Sequence, residues 1–243
     1  MDDRRLTPEL MDDPALDPAE HRRALDGLSR INRLSSTVST LWPSLVQAAR
    51  QSQHASRSLR VLDVACGGGD VAVSLSLRAR KAHLPMRIDG CDLSGVALDR
   101  ALELSREYRV GCDFFACDAL RSELPERYDA MVCSLFLHHL SDTHAQLLLE
   151  KMSRTSRLVL VSDLVRSRAA WILTRLGTRV LSRSPIVHVD GPRSVEGAFT
   201  VREARSLLDD AGMGTATIER VWPMRMLVTW RSGTSAKEGD RVS

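Results

Sequence analysis

The sequence predicts an α/β protein built on a doubly wound, mainly parallel sheet, and three observations favour that class. Between residues 58 and 231, short apolar runs alternate with segments of helical spacing, which is the pattern of βαβ units. Residues 61–70 pass from an apolar strand through a glycine turn into a helix, as at the first turn of such sheets. The length of 243 residues, 43% of them apolar, suits one domain with a sizeable core.

The elements follow in order from an N-terminal helical cap, predicted over residues 1–57. A helix start near Asp17 is followed by apolar residues at three-residue steps, without strand alternation. The core domain then covers 58–231, with strand-like runs at 60–65, 86–91, 112–116, 128–134, 158–162, 215–221 and 225–230. Segments of helical spacing separate these runs at 71–80, 94–108 and 142–153.

The end of the domain has its own signals. Thr200 with Glu203 three residues later predicts a capped helix that stops at Gly212. Only Trp222, Pro223 and Met224 join the last two runs, so these runs must be antiparallel neighbours, because a parallel crossover needs a dozen or more residues. The tail over 232–243 has the composition of a disordered segment.

Charge and composition exclude several classes of protein. Lys and Arg number 34 against 31 Asp and Glu, and a net +3 is too small for a dedicated nucleic-acid-binding protein. No apolar run approaches the roughly 18 residues that span a bilayer, and the N-terminus lacks the apolar core of a signal peptide, which predicts a cytoplasmic protein. The five cysteines form no C-x-x-C pair and are interpreted as buried thiols.

The glycine turn carries the strongest functional signal. Gly67 and Gly69 follow the first strand, where a glycine backbone can approach a nucleotide closely. Asp92 lies 23 residues after Gly69, at the end of the next strand, where an acid can accept hydrogen bonds from ribose hydroxyls. Asp118 closes a third strand and is followed by the small residue Ala119. This order of residues predicts a nucleotide-like cofactor.

Four motifs together resemble the class I S-adenosylmethionine-dependent methyltransferases over roughly residues 58–231: Asp63-x-Ala65-x-Gly67-x-Gly69, Gly90-Cys91-Asp92-Leu93-Ser94, Cys117-Asp118-Ala119 and the run Tyr128 to Leu140, which includes Ser134. The resemblance implies a Rossmann-like, seven-stranded sheet with the last strand antiparallel. It implies that Gly67 and Gly69 pass under the methionine part of S-adenosyl-L-methionine, that Asp92 holds the ribose, and that Asp118 and Ala119 meet the adenine. The first glycine of the family's turn is Ala65 here. The predicted cofactor-binding residues are Asp63, Ala65, Gly67, Gly69, Asp92, Leu93, Asp118, Ala119 and Ser134.

Two alternatives stay open for this turn. A nicotinamide dehydrogenase would use a similar turn, although position 72 is Ala where its third glycine is usual, and no Tyr-x-x-x-Lys is present. A regulatory module could also keep the cofactor pocket without catalysing a reaction.

Residues 164–199 are interpreted as an insertion before the capped helix that starts at Thr200. Between Arg166 and Arg193 this segment holds six arginines and one acid, Asp190. Its residues Ala169, Ile172, Leu173, Leu176 and Val180 mark one apolar helical face. A helical lid over the substrate cleft is favoured, with a solvated basic face or a peripheral membrane contact through 166–183 as alternatives. The stretch His188 to Ser194 is interpreted as a Gly-Pro turn.

Two histidines are candidate catalytic bases. Methylation of a hydroxyl requires removal of its proton, and His139, just after the fourth strand, and His188 could take it. Clustered metal-ligand spacing is absent from the sequence, so no metal is predicted. The insertion and the closing Pro223-Met224-Arg225 resemble small-molecule methyltransferases of secondary metabolism.

The prediction is therefore methyl transfer to the oxygen of a small hydroxylated acceptor, aromatic or polyketide- or quinol-like. Residues 28–35 with Leu41-Trp42-Pro43 resemble the segment before the core of ubiquinone and menaquinone methyltransferases, where an Asn-containing helix, here with Asn32, caps the cofactor. That resemblance keeps carbon methylation of a quinol precursor open. The oligomeric state is left open by the sequence.

Overall fold

A computed structural model describes residues 3–13, 15–34 and 37–233, except for the side chains of residues 12, 28–30 and 32–34. The side chain of Asn32 and the predicted disordered tail from residue 234 onward lie outside the described residues. The strands are β1 (Leu59–Val64), β2 (Met86–Asp92), β3 (Phe114–Ala116), β4 (Ala130–Ser134), β5 (Leu158–Leu164), β6 (Thr217–Val221) and β7 (Arg225–Arg231). The helices are α1 (Pro18–Leu34), α2 (Thr37–His54), α3 (Asp70–Lys81), α4 (Gly95–Glu107), α5 (Asp142–Thr155), α6 (Arg168–Leu181), α7 (Pro185–Gly197) and α8 (Val201–Asp210).

The seven strands form one sheet in the order β3-β2-β1-β4-β5-β7-β6. β1 to β5 run parallel, while β7 pairs antiparallel with both β5 and β6. The predicted doubly wound sheet and the antiparallel closing hairpin are therefore confirmed. The order reverses between β1 and β4, and open α/β sheets bind their ligands in the crevice at such a reversal.

The central strands are apolar on both faces because helices cover both faces of the sheet. In β1, Leu62 packs with one core cluster that includes α5 and α8, while Val61 packs with a second cluster that includes α2 and α3. Leu41 and Leu45 of α2 are fully buried in this second cluster. The N-terminal region thus contributes directly to the main core through α2, and its helix α1 lies nearer the carboxyl end of β1, where Leu25 lies within 4.0 Å of a Cβ built on Gly67.

Capping residues set the bounds of several helices. Ser94 and Ser141 accept hydrogen bonds from Ala97 N–H and His144 N–H at the starts of α4 and α5. The predicted capping box at α8 is present, with reciprocal bonds between Thr200 and Glu203. Four of the five cysteines are buried, Cys117 is half-buried, and all five are free thiols.

The structure corrects one expectation about the insertion. The stretch His188 to Ser194 is not a turn: it lies inside α7, and Gly191 serves close packing there, because an added Cβ would lie 2.7 Å from Cγ2 of Thr178 in α6. The apolar face of α6, for which a lid or a membrane contact is predicted, is largely exposed. Ile172, Leu176 and Val180 are 55%, 61% and 83% exposed, whereas the small residues Ala170 and Thr178 are buried.

No helix in the part of the chain that the structure describes combines the length and apolar character needed to cross a membrane.

Candidate functional site

A cavity of about 1390 Å³ opens at the carboxyl ends of the central strands. Its wall includes the turn after β1, the ends of β2 and β4, and residues from α1, α6 and α7. This is the position that the reversal of strand order predicts for a ligand. Sites for one drug-sized molecule usually measure roughly 300 to 1,000 Å³, so this cavity is large enough for a cofactor and a second small molecule together.

The turn after β1 bends through left-handed backbone conformations. Ala65 has a φ of 55° and Gly67 a φ of 52°, and both line the cavity. An added Cβ at Gly67 would meet nothing nearer than Leu25 at 4.0 Å, so the glycine leaves its backbone open to a ligand. Ala65, which stands at the position of the family's first glycine, adopts a left-handed conformation that residues with a side chain usually avoid.

Asp92 fixes this turn from the neighbouring strand. Its carboxylate accepts hydrogen bonds from Gly67 N–H at 2.8 Å and from Ser94 N–H at 2.9 Å. The side chain lines the cavity, as do its neighbour Leu93 and Ser134 at the end of β4. Asp92 is thus half-buried and held by two backbone donors, with its carboxylate at the edge of the ligand space.

Asp118 and Ala119 lie further along the same wall. The Asp118 carboxylate accepts from Leu120 N–H at 3.0 Å and Arg121 N–H at 3.1 Å, which fixes the loop after β3. Ala119 is buried and presents only a methyl group. The structure therefore brings Ala65, Gly67, Asp92, Leu93, Asp118, Ala119 and Ser134 to one cavity.

Two of the predicted cofactor residues are not on the wall. Gly69 has a φ of 74°, and a Cβ there would lie 2.7 Å from Cβ of Ala101, so this glycine serves the packing of the turn on α4. Asp63 is fully buried within β1. Burial raises the pKa of Asp63 well above its usual value, and the carboxylates of Asp70 and Asp92 raise it further.

His138 and Asp163 form a buried pair at the other end of the cavity. Nδ1 of His138 lies 2.6 Å from Oδ1 of Asp163, and the backbone N–H of His138 donates to Oδ2 at 3.1 Å. Burial alone would raise the pKa of Asp163, but His138 and the N–H of Leu164 hold it below its usual value. In the neutral imidazole, Nδ1–H donates to Asp163 and leaves Nε2 able to accept a proton.

His139, the predicted base, also lines the cavity, and its ring centroid lies 4.3 Å from that of His138. Nε2 of His138 and Nε2 of His139 lie 3.8 Å and 3.9 Å from the carboxylate oxygens of Glu9. Glu9 is buried and also accepts a hydrogen bond from the Ser194 hydroxyl. The cavity therefore joins the nucleotide-type wall to a cluster of two imidazoles and one carboxylate.

His188, the other predicted base, lies in α7 and does not line the cavity. Its Nε2 lies 2.7 Å from the carbonyl oxygen of Ser182, within hydrogen-bond distance. The structure does not bring it together with His139.

Sequence reasoning missed three residues of this wall, Glu9, His138 and Arg225, and also Asp163, which is buried behind His138. Burial lowers the pKa of Arg225 to about 10, although Asp163 and Asp70 raise it. An acid that closes β5 was the available signal for Asp163, and adjacent histidines after β4 were the signal for His138. No sequence pattern indicated Glu9, because it reaches the site across the whole fold.

Comparison with known proteins adds two kinds of finding. The family described as "Methyltransferase domain" matches residues 61–157. The ubiquinone biosynthesis O-methyltransferase of Chromobacterium violaceum is 29% identical over 181 residues, which cover 71% of this chain and 75% of that protein. The enzyme of the same name from Aeromonas salmonicida is 29% identical over 125 residues, and this match spans about half of each protein, 51%.

Solved structures share the fold at low sequence identity. An O-methyltransferase from neocarzinostatin biosynthesis, solved with S-adenosyl-L-homocysteine and 1,4-dihydroxy-2-naphthoic acid, has a TM-score of 0.65 at 16% identity, covering 93% of this chain and 62% of that one. An O-methyltransferase family 2 protein from Planctomyces limnophilus, in complex with apigenin, has a TM-score of 0.59 at 16% identity, with coverage of 90% and 62%.

Proposed function

We propose that this chain, which belongs to the class I S-adenosylmethionine-dependent methyltransferases, transfers the methyl group to an oxygen of a small hydroxylated aromatic or quinol-like acceptor. One observation carries the proposal. A single cavity is lined at one end by the glycine turn, Asp92 and Asp118, and at the other by His138 and His139. The first set suits the cofactor, and the second suits a group that must lose a proton.

The residues of the first set fit S-adenosylmethionine. At Gly67 only the glycine keeps the backbone open, since a Cβ would project into the space beside Leu25. We expect Asp92 to accept hydrogen bonds from the ribose hydroxyls and Asp118 with Ala119 to meet the adenine. The buried guanidinium of Arg225 is a candidate partner for the cofactor's carboxylate. When bound, the cofactor supplies an electrophilic sulfonium methyl group.

The chain's own part is to position the acceptor and to handle its proton. An acceptor hydroxyl near Nε2 of His138 could transfer its proton to that nitrogen, while Asp163 stabilises the imidazolium that forms. His139 stands beside it as the second candidate, and His188 remains a weaker one because it lies off the wall. Helix α6 contributes Leu173, Thr174, Gly177, Thr178 and Leu181 to the cavity wall, a position that suits a lid excluding water.

Replacement of the base tests this function. We expect His138→Ala to lower turnover by about 10²- to 10⁴-fold while leaving S-adenosylmethionine affinity nearly unchanged. The loss should shrink at high pH, where the acceptor ionises without help. Turnover would be followed as S-adenosylhomocysteine release in a screen of hydroxylated aromatic acids, quinols and flavonoids. The absence of cofactor binding would disprove the proposed function. Turnover that persists at neutral pH in His138→Ala with His139→Ala would show that no imidazole base is needed, because alignment alone suffices or because the acceptor is an already acidic oxygen or a carbon centre.

The exposed face of α6 favours a peripheral membrane contact within residues 166–183. Ile172, Leu176 and Val180 are exposed, and Arg175 and Arg179 are exposed on the same helix. From Arg166 to Val189 the segment holds no acidic residue. An apolar helix face flanked by arginines is complementary to an anionic lipid surface. Such a contact would bring the cavity close to an acceptor that partitions into the membrane.

A further inference from the structure

We propose that Glu9, His138 and His139 form a binding site for a divalent transition-metal ion of the Zn²⁺ type. One ligand atom from each of these side chains lies within 4.8 Å of the others. The residues come from the N-terminal segment and from the turn after β4, so only the fold brings them together. Because the third residue, Glu9, is far from the two histidines in the sequence, the spacing of these residues gave no indication of a metal site.

The donor set decides which ion fits. Two imidazole nitrogens with one carboxylate oxygen suit Zn²⁺ and its neighbours in the first transition series, whereas Mg²⁺ and Ca²⁺ prefer oxygen ligands alone. Tetrahedral ligands of Zn²⁺ lie about 3.3 Å apart. The separations of 3.8 Å and 3.9 Å between Glu9 and the imidazoles exceed that spacing by about half an ångström. They are also too long for direct hydrogen bonds.

The surroundings orient the ligands as a metal site requires. Asp163 accepts from Nδ1 of His138 at 2.6 Å, so Nε2 is the nitrogen that faces Glu9. A carboxylate behind a ligating histidine is the usual arrangement in metal sites, because it fixes the tautomer and the ring orientation. The Ser194 hydroxyl fixes the Glu9 carboxylate in the same way. A cation among the buried carboxylates of Glu9 and Asp163 would offset the cost of burying their charges.

Three protein ligands leave at least one coordination position, and all three residues line the cavity. An acceptor hydroxyl in that position would have its pKa lowered by the ion, as a metal-bound water does. With the ion bound, Nε2 of His138 would be a ligand and could not also act as the base, so the ion would replace the imidazole in activating the acceptor, and the acceptor proton would leave to solvent. This last step rests on the proposed function, whereas binding of the ion does not.

Titration of the full-length, tag-free protein with Zn²⁺ after chelator treatment tests the site. We expect one Zn²⁺ per chain, with a dissociation constant below about 1 μM and no comparable binding of Mg²⁺. Glu9→Gln and His139→Ala should each weaken Zn²⁺ binding at least ten-fold. Co²⁺ should give visible absorption bands of a low-symmetry nitrogen and oxygen site. His54→Ala, at an exposed position in α2, is the matched control and should bind Zn²⁺ like the wild type.

Three results would overturn the site: no stoichiometric Zn²⁺, equal Zn²⁺ affinity in Glu9→Gln, His139→Ala and His54→Ala, or equal affinity for Mg²⁺. Circular dichroism of each variant checks its fold, and Glu9→Gln, which keeps the size of the side chain, serves if His139→Ala is unfolded. Calorimetry of S-adenosylmethionine on the same wild-type protein separates the two proposals. Zn²⁺ binding without cofactor binding would refute the proposed function alone, and the reverse result would refute the metal site alone.

Discussion

At the scale of single residues, Asp92 connects the sheet to the predicted cofactor. Its carboxylate accepts from the N–H groups of Gly67 and Ser94, and therefore holds both the glycine turn and the start of α4. A carboxylate has about four lone-pair positions, so two backbone donors leave capacity for ribose hydroxyls. One side chain can thus position the turn and contact the ligand.

We predict that Asp92→Ala weakens S-adenosylmethionine binding ten-fold or more, measured by calorimetry. Each hydroxyl left without its acceptor costs about 1 to 3 kcal/mol, and the turn loses a bond as well. Asp99→Ala, an exposed acid in α4, is the control and should bind within two-fold of wild type. Unchanged affinity in Asp92→Ala would remove this carboxylate from the cofactor site.

The choice between two adjacent histidines shows the limit of sequence reasoning at this scale. Position after β4 predicted His139 as a base, and the structure does place it on the cavity wall. The buried partner, however, belongs to His138, because the short 3-10 turn over Leu137–His139 directs that ring toward Asp163. Which of two neighbouring side chains turns inward depends on contacts from β5, and no local pattern encodes them.

At the scale of elements, helical periodicity located α6 and its apolar face but left open what that face contacts. An apolar stripe on a helix normally faces the core. In α6, however, the side that carries Thr174 and Thr178 packs closely against Gly191 of α7. Close approach of two helices through small residues leaves the larger apolar side chains outside. Periodicity identifies an apolar face, but it does not state what covers that face.

This exposed face leads to a prediction about lipid surfaces. We expect the protein to co-sediment with vesicles containing phosphatidylglycerol. The double variant Leu176→Ser with Val180→Ser should bind these vesicles about ten-fold more weakly or worse, because each inserted apolar side chain contributes roughly 1 to 2 kcal/mol to binding. Tyr108→Ser removes a partly exposed aromatic residue after α4, outside α6, and is the control. Equal sedimentation of all three proteins would show that α6 does not insert.

The start of α8 supplies a second prediction at this scale. Arg166 is buried, and its guanidinium donates to Glu203 at 2.9 Å and to the carbonyl of Ala198 at 2.7 Å. Burial would raise the pKa of Glu203, but Arg166 and the capping bond to Thr200 lower it. The ion pair therefore stabilises the fold above the ordinary glutamate pKa of 4.5, and its contribution is lost as the pH falls through the lower folded value.

We expect Glu203→Gln to lower the free energy of unfolding by about 1 to 2 kcal/mol at pH 7, a figure reduced because Glu203 is partly exposed. Urea unfolding at pH 7 and pH 3 measures the free energy of unfolding of both proteins. The difference in this free energy between Glu203→Gln and wild type should be smaller at pH 3. Asp210→Asn, at the other end of α8, is the control. A difference that grows on acidification would contradict the assigned role of the carboxylate.

At the scale of the whole molecule, the sheet could be predicted from the sequence, whereas the contacts of the N-terminal segment with the cavity could not. Strand runs, the glycine turn and the closing hairpin are local signals, and together they predicted the doubly wound sheet with its antiparallel end. The N-terminal segment crosses the molecule to reach the site, where Leu10 and Met11 N–H donate to Asp190 at 2.9 Å and 3.1 Å. Contacts between residues so far apart in sequence leave no periodic trace.

Arg4 anchors this segment over the acceptor end of the cavity. Its guanidinium donates to the carbonyl oxygens of Gly197 and Leu140, each at 2.6 Å, and lies 3.7 Å from the ring centre of Phe199. Five residues further on, Glu9 contributes its carboxylate to the imidazole cluster. The position of Glu9 therefore depends on contacts that Arg4 makes outside the cavity.

We predict that Arg4→Ala lowers turnover about ten-fold or more and raises the rate of proteolysis within residues 3–13, while S-adenosylmethionine affinity stays within about two-fold. The reason is spatial: Arg4 contacts the turn after β4 and the end of α7, whereas the cofactor wall is built on β1, β2 and β3. Arg5→Ala is the matched control, because Arg5 is exposed and its backbone N–H, which the substitution keeps, donates to Glu196. Equal turnover and equal proteolysis in the two variants would show that the N-terminal segment keeps its position without Arg4. A loss of S-adenosylmethionine affinity in Arg4→Ala that parallels its loss of turnover would show that the two ends of the cavity are not independent.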